Sequence, residues 1–181
     1  MIIKLKLKQI DIMSCELING ISGICAYSAS GIEKIWLANK AEFTDDEYDG
    51  DGLLTGLTTT GVTYAFVPAL DSGTFQDDLV VNGSRRNFLQ TINFGLDAMS
   101  ASVLLTLEDL GLSNMIAFVK DAGGNFRAFG VKGTGLRATV ITEGSGTSTG
   151  NDGAITVTIA GSTTGKASFV EAALATTLGL S

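Results

Sequence analysis

Residues 87–141 constrain the fold most, because their hydrophobic period changes from two to 3.6 and back to two. Apolar and polar or small residues alternate along 91–96, which predicts a strand with one buried face. The apolar positions of residues 97–110 then follow the spacing of one helical face, and Gly111 suits a left-handed helix end. This order predicts one helix, at about residues 97–110, set among strands.

Short strands joined by glycine-rich turns are predicted after this helix. The apolar run 115–120 ends at residues 121–125, which are rich in types that tolerate a positive φ. Residues 126–131 follow as the partner of a β-hairpin. A further turn at 132–135 leads to residues 136–141, which would add a third strand. The stretch indicates a β-rich assembly module and no catalytic site.

The composition indicates a surface that is covered in an assembly. Only 17% of the 181 residues are charged, against about 25% in an average soluble domain, while 45% are hydrophobic. The simplest interpretation is that much of the surface meets other subunits. No stretch reaches about 18 uninterrupted apolar residues, so no membrane-spanning helix is expected. With 23 glycines and one proline, the turns are typical of antiparallel sheets.

Charge and residue types exclude several functional classes. The net charge of −7 argues against a grooved nucleic-acid binder, although like charge lets DNA pass without sticking. Histidine is absent, which removes histidine-based acid–base catalysis and the commonest zinc ligand. The chain is therefore not expected to be an enzyme, and no cofactor or metal ion is expected. Cys15 and Cys25 are interpreted as reduced, buried thiols, with a disulfide as the alternative.

The first lysines of the chain lie on one face of a predicted N-terminal strand or arm, residues 1–14. Lys4, Lys6 and Lys8 alternate with apolar residues. Their recurrence argues against a signal peptide, whose apolar core carries no charge. They form either a solvated strand face or a charged edge that meets an acidic neighbour.

An acidic block at residues 42–52 is the natural partner for those lysines. It partly fits a calcium-binding loop, but the twelfth position is Gly56 where a bidentate glutamate is needed. A solvated acidic loop is therefore predicted, and an adjacent subunit's lysines would complement its charge. The candidate interface residues of this block are Asp45, Asp46, Asp49 and Asp51.

A polar loop with a short edge strand at 79–81 is predicted for residues 71–83. The Asn-Gly pair at 82–83 then turns the chain toward Arg85 and Arg86. These arginines are either plain exposed surface or partners of the acidic block across a subunit interface.

The remaining segments are predicted to be strands and loops of one domain, residues 1–181. Strands are expected at 31–39 and 154–160, and a threonine-rich strand-turn-strand at 53–67. The tail, residues 166–181, is predicted to be either a C-terminal arm or a short helix.

Short motifs in the second half resemble those of tail tube proteins from phages and prophages of Bacteroidetes-type bacteria. The resemblance spans roughly residues 15–160 and is clearest over 88–160. The matching hairpin, strand and loop residues are Val119, Lys120, Asp121, Gly124, Phe126, Gly130, Gly135, Leu136, Arg137, Ala138, Thr139, Gly150, Asp152 and Gly153.

The resemblance implies a mainly β fold, in which two antiparallel sheets form a β-sandwich or partial barrel with one flanking helix. It also implies subunits that pair sheet edges into hexameric rings, which stack into a hollow tube for DNA ejection. The expected partners are further copies of the chain and other virion proteins such as the tail terminator, baseplate or neck. DNA would only pass through the lumen, no membrane is involved, and the protein would be made in the host cytoplasm and end in the virion tail.

Two other readings of the chain stay open at this point. A capsid decoration, head-completion or neck-ring protein would have a similar composition. A secreted carbohydrate-binding β-sandwich would also be rich in glycine and threonine, although such proteins usually display more aromatic residues than one tryptophan and three tyrosines.

Overall fold

A computed structural model gives the fold of the chain. It describes the backbone of residues 15–16, 22–23, 31–69, 72–96, 108–144 and 155–180. In these ranges the strands are β1 (Cys15–Glu16), β2 (Ser22–Gly23), β3 (Ile32–Asn39), β4 (Phe43–Tyr48), β5 (Leu54–Thr59), β6 (Tyr64–Phe66), β7 (Thr74–Asn82), β8 (Arg85–Leu96), β9 (Met115–Asp121), β10 (Phe126–Phe129), β11 (Arg137–Glu143), β12 (Ile155–Thr163) and β13 (Ser168–Phe169). The helices are α1 (108–112) and α2 (Ala172–Thr177), and a 3-10 turn spans Lys40–Glu42.

The central sheet has the strand order β13-β10-β9-β3-β6. Its two middle strands, β3 and β9, pair antiparallel with Ile35 opposite Val119 and Trp36 opposite Phe118. Residues 35–38 and 115–119 are all buried, so both faces of this sheet are covered. Strands buried on both faces have no solvent side, which explains why these two segments read as continuous apolar runs.

The outer sheet has the order β11-β12-β8-β7 and packs on one face of the central sheet. Strands β8 and β12 alternate, because their inner side chains are buried and their outer ones meet solvent. Two aromatic pairs cross between the sheets: the ring centroids of Phe66 and Phe94 lie 6.1 Å apart, and those of Phe75 and Phe129 lie 5.4 Å apart. The fold is thus mainly β, a sandwich of antiparallel sheets and not a closed barrel.

A back layer covers the other face of the central sheet. It consists of the β4–β5 hairpin and α2, which place Phe43, Leu54 and Leu174 against Trp36 and Phe118. A predicted flanking helix, 97–110, is visible only at its end, since α1 covers 108–112 and most of the prediction lies outside the described residues. Leu110 of α1 is buried in the core between the two sheets, and a short helix, α2, forms in the tail and packs on the other face of the central sheet.

The buried side chain of Gln90 links three segments across the sandwich. Its Oε1 accepts a hydrogen bond from the backbone N–H of Gly130 at 2.8 Å, and its Nε2 donates to the carbonyl oxygen of Gly165 at 3.2 Å. Gln90 is 1% exposed. A buried glutamine is stable only when its amide is hydrogen-bonded in this way, so it fixes the position of β8 relative to β10.

Two predicted loops are strands, and those predictions were wrong. The acidic block forms β4, whose ends are held by buried Phe43 and by half-buried Tyr48. Asp45, at φ 53°, lies where the β4–β5 register shifts, so the bulge lets a highly charged segment remain in a hairpin. The predicted polar loop 71–83 contains the nine-residue β7, so only the predicted edge strand at 79–81 is confirmed; the pairing of β7 with β8 outweighs its polar composition.

The strands predicted at 53–67 and 136–141 are formed, but they do not pair with the strands next to them in the sequence. Strands β5 and β6, read as one strand-turn-strand, lie in different sheets, with β6 paired to β3. Strand β11 does not extend the β9–β10 hairpin but joins β12 in the outer sheet. After Gly130, whose φ is 76°, the chain bridges to β9 through Leu136 and Met115 and then crosses to β12.

The other strand predictions are confirmed within the described ranges. The strand predicted at 31–39 is β3 (Ile32–Asn39), the run 115–120 and its partner form the β9–β10 hairpin, and the described part of the strand predicted at 154–160 lies within β12. The lysine strand at 1–14 lies outside the described residues, as do Cys25 and the side chain of Cys15. The bonding state of the two cysteines therefore stays a prediction.

Candidate functional site

The β7–β8 hairpin projects beyond the sandwich. Strand β12 pairs with β8 only as far as Phe88, whereas β7 and β8 continue pairing to Asn82 and Arg85. Within the described ranges the end of the hairpin, residues 79–87, is therefore two-stranded, and each of its residues is exposed. We call this segment the arm.

The arm carries apolar side chains that a free surface strand would not need. Leu79, Val80 and Val81 are 53%, 44% and 60% exposed, and they are consecutive, so they cover both faces of the arm. Exposed, unpaired and apolar edge strands attract other strands, and monomeric proteins normally blunt them with charge or cover. Here the charge is confined to the tip, where Arg85 and Arg86 are exposed.

A groove lies at another part of the molecule, between β3, β6 and α1. Its cavity has a volume of about 400 Å³. Tyr64, Phe66, Leu110 and Leu112 form its apolar lining, and Leu112 is 90% exposed. The acidic residue Asp109 also lines the groove. We call this site the groove. The predicted helix at 97–110 did not reveal it, although the apolar Leu112 just after Gly111, the predicted helix end, was a signal.

Strand β6 forms one wall of the groove and is an edge of the central sheet. It pairs with β3 on one side, through Phe66 opposite Ile35 and Tyr64 opposite Leu37. Among the described strands none pairs with its other side. Val62 and Val67, which flank β6, are 63% and 67% exposed. A largely apolar pocket therefore lies beside a strand edge that no described strand occupies.

The predicted acidic residues are exposed, and some of them make contacts within their own hairpin. The Oδ1 atom of Asp49 accepts hydrogen bonds from the backbone N–H groups of Asp51 at 3.0 Å and Leu53 at 2.7 Å, which shapes the turn. Burial, and then the neighbouring carboxylate of Asp46, raises the pKa of Tyr48 well above its usual range. Within the described ranges no three potential metal ligands come together.

The predicted charge partners do not meet within one chain. Asp45, Asp46, Asp49 and Asp51 belong to the back layer, whereas Arg85 and Arg86 lie in the outer sheet across the central sheet from it. Neither arginine forms an ion pair with another described residue. Lys4, Lys6 and Lys8 lie outside the described residues, so their predicted role stays a prediction.

Comparison of the chain with protein-family models, with curated proteins and with solved structures gave no match. In the described part of the chain, no helix has the length and apolar character needed to cross a membrane.

Proposed function

We propose that this chain is a structural subunit that self-assembles into stacked rings and forms the tail tube of a phage. The observation that carries the proposal is the arm, a projecting hairpin with three consecutive exposed apolar side chains. Such a surface is costly for a monomer and is stabilising in an assembly.

The size of the arm explains why many copies would assemble together. Burying the exposed halves of Leu79, Val80 and Val81 contributes about 1 kcal/mol each, roughly 3 kcal/mol for one arm. Fixing two free proteins relative to each other costs about 4–15 kcal/mol. One arm contact therefore holds a pair weakly, whereas a closed ring adds a contact without a further subunit to immobilise.

Charge and composition support a tube in preference to a nucleic-acid binder. The chain carries a net charge of −7, so a lumen lined by it would repel the phosphate backbone and let DNA slide. The low fraction of charged residues, 17%, suits a subunit that is largely covered by neighbours. The resemblance of its short motifs to those of tail tube proteins from phages and prophages supports a tail tube as the particular assembly.

The proposal is tested by negative-stain electron microscopy of the purified chain over a concentration series. We expect rings or open-ended hollow tubes of uniform width, appearing above a threshold concentration. Particles that stay small at every concentration and bind only preassembled capsids would favour a decoration or neck-ring protein instead. Monomers that bind immobilised glycans would favour the carbohydrate-binding alternative.

A further inference from the structure

We infer that the arm of one copy docks into the groove of the next copy, beside the free edge of β6. This inference rests on the proposed self-assembly and names the two surfaces that meet. The arm supplies exposed apolar side chains on a two-stranded projection. The groove supplies an apolar pocket of about 400 Å³ that such side chains fit.

The arm cannot reach the groove of its own chain. Phe66 in the groove wall contacts Phe94, which lies near one end of β8, and Arg86 lies near the other. At about 3.4 Å per residue, the steps along β8 from Phe94 to Arg86 span roughly 27 Å. The two surfaces therefore face different neighbours.

Charge complementarity selects the groove as the partner of the arm. The tip of the arm presents two positive charges, Arg85 and Arg86, next to its apolar side chains. Exposed Asp109 of α1 lines the groove next to apolar Leu112, and exposed Glu108 precedes it in the same helix. Opposite charges around an apolar centre set the orientation of an interface and favour encounter.

The acidic β4–β5 hairpin fits the arm less well. It is acidic, but its apolar side chains Phe43, Leu54 and Leu57 are buried or half-buried in the back layer. Docking there would bring charges together without covering the valines of the arm. Exposed ion pairs contribute only about 0–1 kcal/mol, so burial of apolar side chains in the pocket determines which site the arm prefers.

Free backbone groups add to the docking. Strand β7 is the edge of the outer sheet and β6 is the edge of the central sheet, so each has one side without a partner among the described strands. Adding a strand to a sheet edge satisfies these groups and gives affinity, while the adjoining pocket gives specificity. Because arm and groove are unlike surfaces, each copy donates one arm and accepts another, and the contact continues around a ring or along a filament.

The experiment uses one variant for each surface and a matched control. Val81→Asp damages the arm and Leu112→Asp damages the groove. Val140→Asp is the control, since Val140 is 50% exposed on β11, away from both surfaces. All three positions are exposed, so thermal unfolding followed by circular dichroism should show melting temperatures close to that of the wild type.

Sedimentation velocity and light scattering then give the concentration of half-assembly. We expect Val81→Asp and Leu112→Asp each to raise it at least tenfold, and Val140→Asp to leave it unchanged. In an equimolar mixture, the intact groove of the arm variant accepts the intact arm of the groove variant. Because one arm contact holds a pair only weakly, the mixture should contain monomers and weak one-to-one dimers that do not grow, since the two remaining surfaces of each dimer are both damaged.

Different results separate this inference from the proposed function. Oligomers that depend on Val81 and Leu112 but never form rings or tubes would remove the tail tube and leave the docking intact. Wild-type-like assembly of either damaged variant, or growth of the mixture beyond dimers, would overturn the docking. Loss of assembly in the Val140→Asp variant alone would also overturn it and move the interface to β11.

Discussion

Replacement of Gln90 tests how the two sheets of the sandwich are held in register. Gln90→Met keeps roughly the same side-chain volume but removes both hydrogen bonds of the buried amide. The N–H of Gly130 then loses the Oε1 acceptor in a buried position. The carbonyl oxygen of Gly165 loses the Nε2 donor but keeps the hydroxyl of Thr163 at 2.8 Å.

The magnitude follows from these two losses. A buried N–H without an acceptor costs about 1–3 kcal/mol, and the lost bond to a carbonyl that keeps another donor costs about 1 kcal/mol. The volume change costs less than about 1.5 kcal/mol and the apolar side chain recovers part of the total. We expect the free energy of unfolding to fall by about 2–3 kcal/mol. In a chain of this size that lowers the melting temperature by roughly 5–10 °C.

Urea unfolding followed by tryptophan fluorescence measures this change, because Trp36 is the single tryptophan and is buried in the central sheet. Samples are kept at concentrations where light scattering shows monomers. Gln76→Met is the matched control, since Gln76 is exposed on the neighbouring strand β7, and we expect a change within about 0.5 kcal/mol. A Gln90→Met variant as stable as the control would refute the role of the buried amide.

A carboxyl group at the same position adds a pH test. In Gln90→Glu the protonated side chain can donate to Gly165 and accept from Gly130, whereas the ionised form is buried and faces a carbonyl oxygen. The folded-state pKa is therefore raised above the unfolded value of about 4.3. Stability should be greatest below that value and should fall as the pH rises through the folded-state pKa. A flat pH profile relative to the wild type would contradict this reasoning.

Three further predictions follow from the same structure. Gly130→Ala should lower the free energy of unfolding by about 3 kcal/mol or more in urea unfolding, because φ is 76° there and an added Cβ would lie 2.9 Å from the carbonyl oxygen of Met115. Gly124→Ala is the comparison: φ is 83° but the surroundings are open, so the loss should be only about 1–2 kcal/mol. Lys120→Met should change stability by about 1 kcal/mol or less, and 1 M salt should reduce the difference, because its 2.8 Å ion pair with Glu33 is partly exposed. Above about pH 10 the tyrosine of the unfolded wild type ionises, whereas Tyr48 in the folded protein stays neutral because its pKa is raised. The wild type should therefore lose stability in this pH range, and Tyr48→Phe should lose less. Equal alkaline losses in the two proteins would contradict the burial of this hydroxyl.

Local patterns in the sequence predicted most strands because side-chain periodicity depends on near neighbours. The alternation around Ile92 and Phe94 and the apolar run 115–120 each identified a strand, and the turn at 121–125 identified a hairpin. The mainly β sandwich followed from these elements. The same reasoning placed Arg85 correctly after a turn, at what the structure shows to be an exposed tip.

Pairing partners and the candidate site depended on contacts between distant residues. The acidic composition of β4 hid a strand, since its anchors are Phe43 at one end and the cross-strand partner β5. Strand β11 pairs with β12 after a crossover, and the hydrophobic period of its own segment does not indicate that partner. The groove joins β6 to α1 across the fold, so no window of the sequence contains both of its walls.

The order of strands in the central sheet determines how long β3 waits for its partner β9 while the chain is synthesised. Strand β3 pairs with β9, and their first paired residues, Asn39 and Met115, lie roughly 80 residues apart in the chain. At about 5–20 residues per second, a ribosome delivers the partner roughly 4–15 s after β3 has been made. During that time the eight-residue β3, with its buried run 35–38, can pair only with the three-residue β6. We therefore expect the yield of folded protein to depend on chaperones that hold this nascent strand, and slower translation between β3 and β9 to lower it.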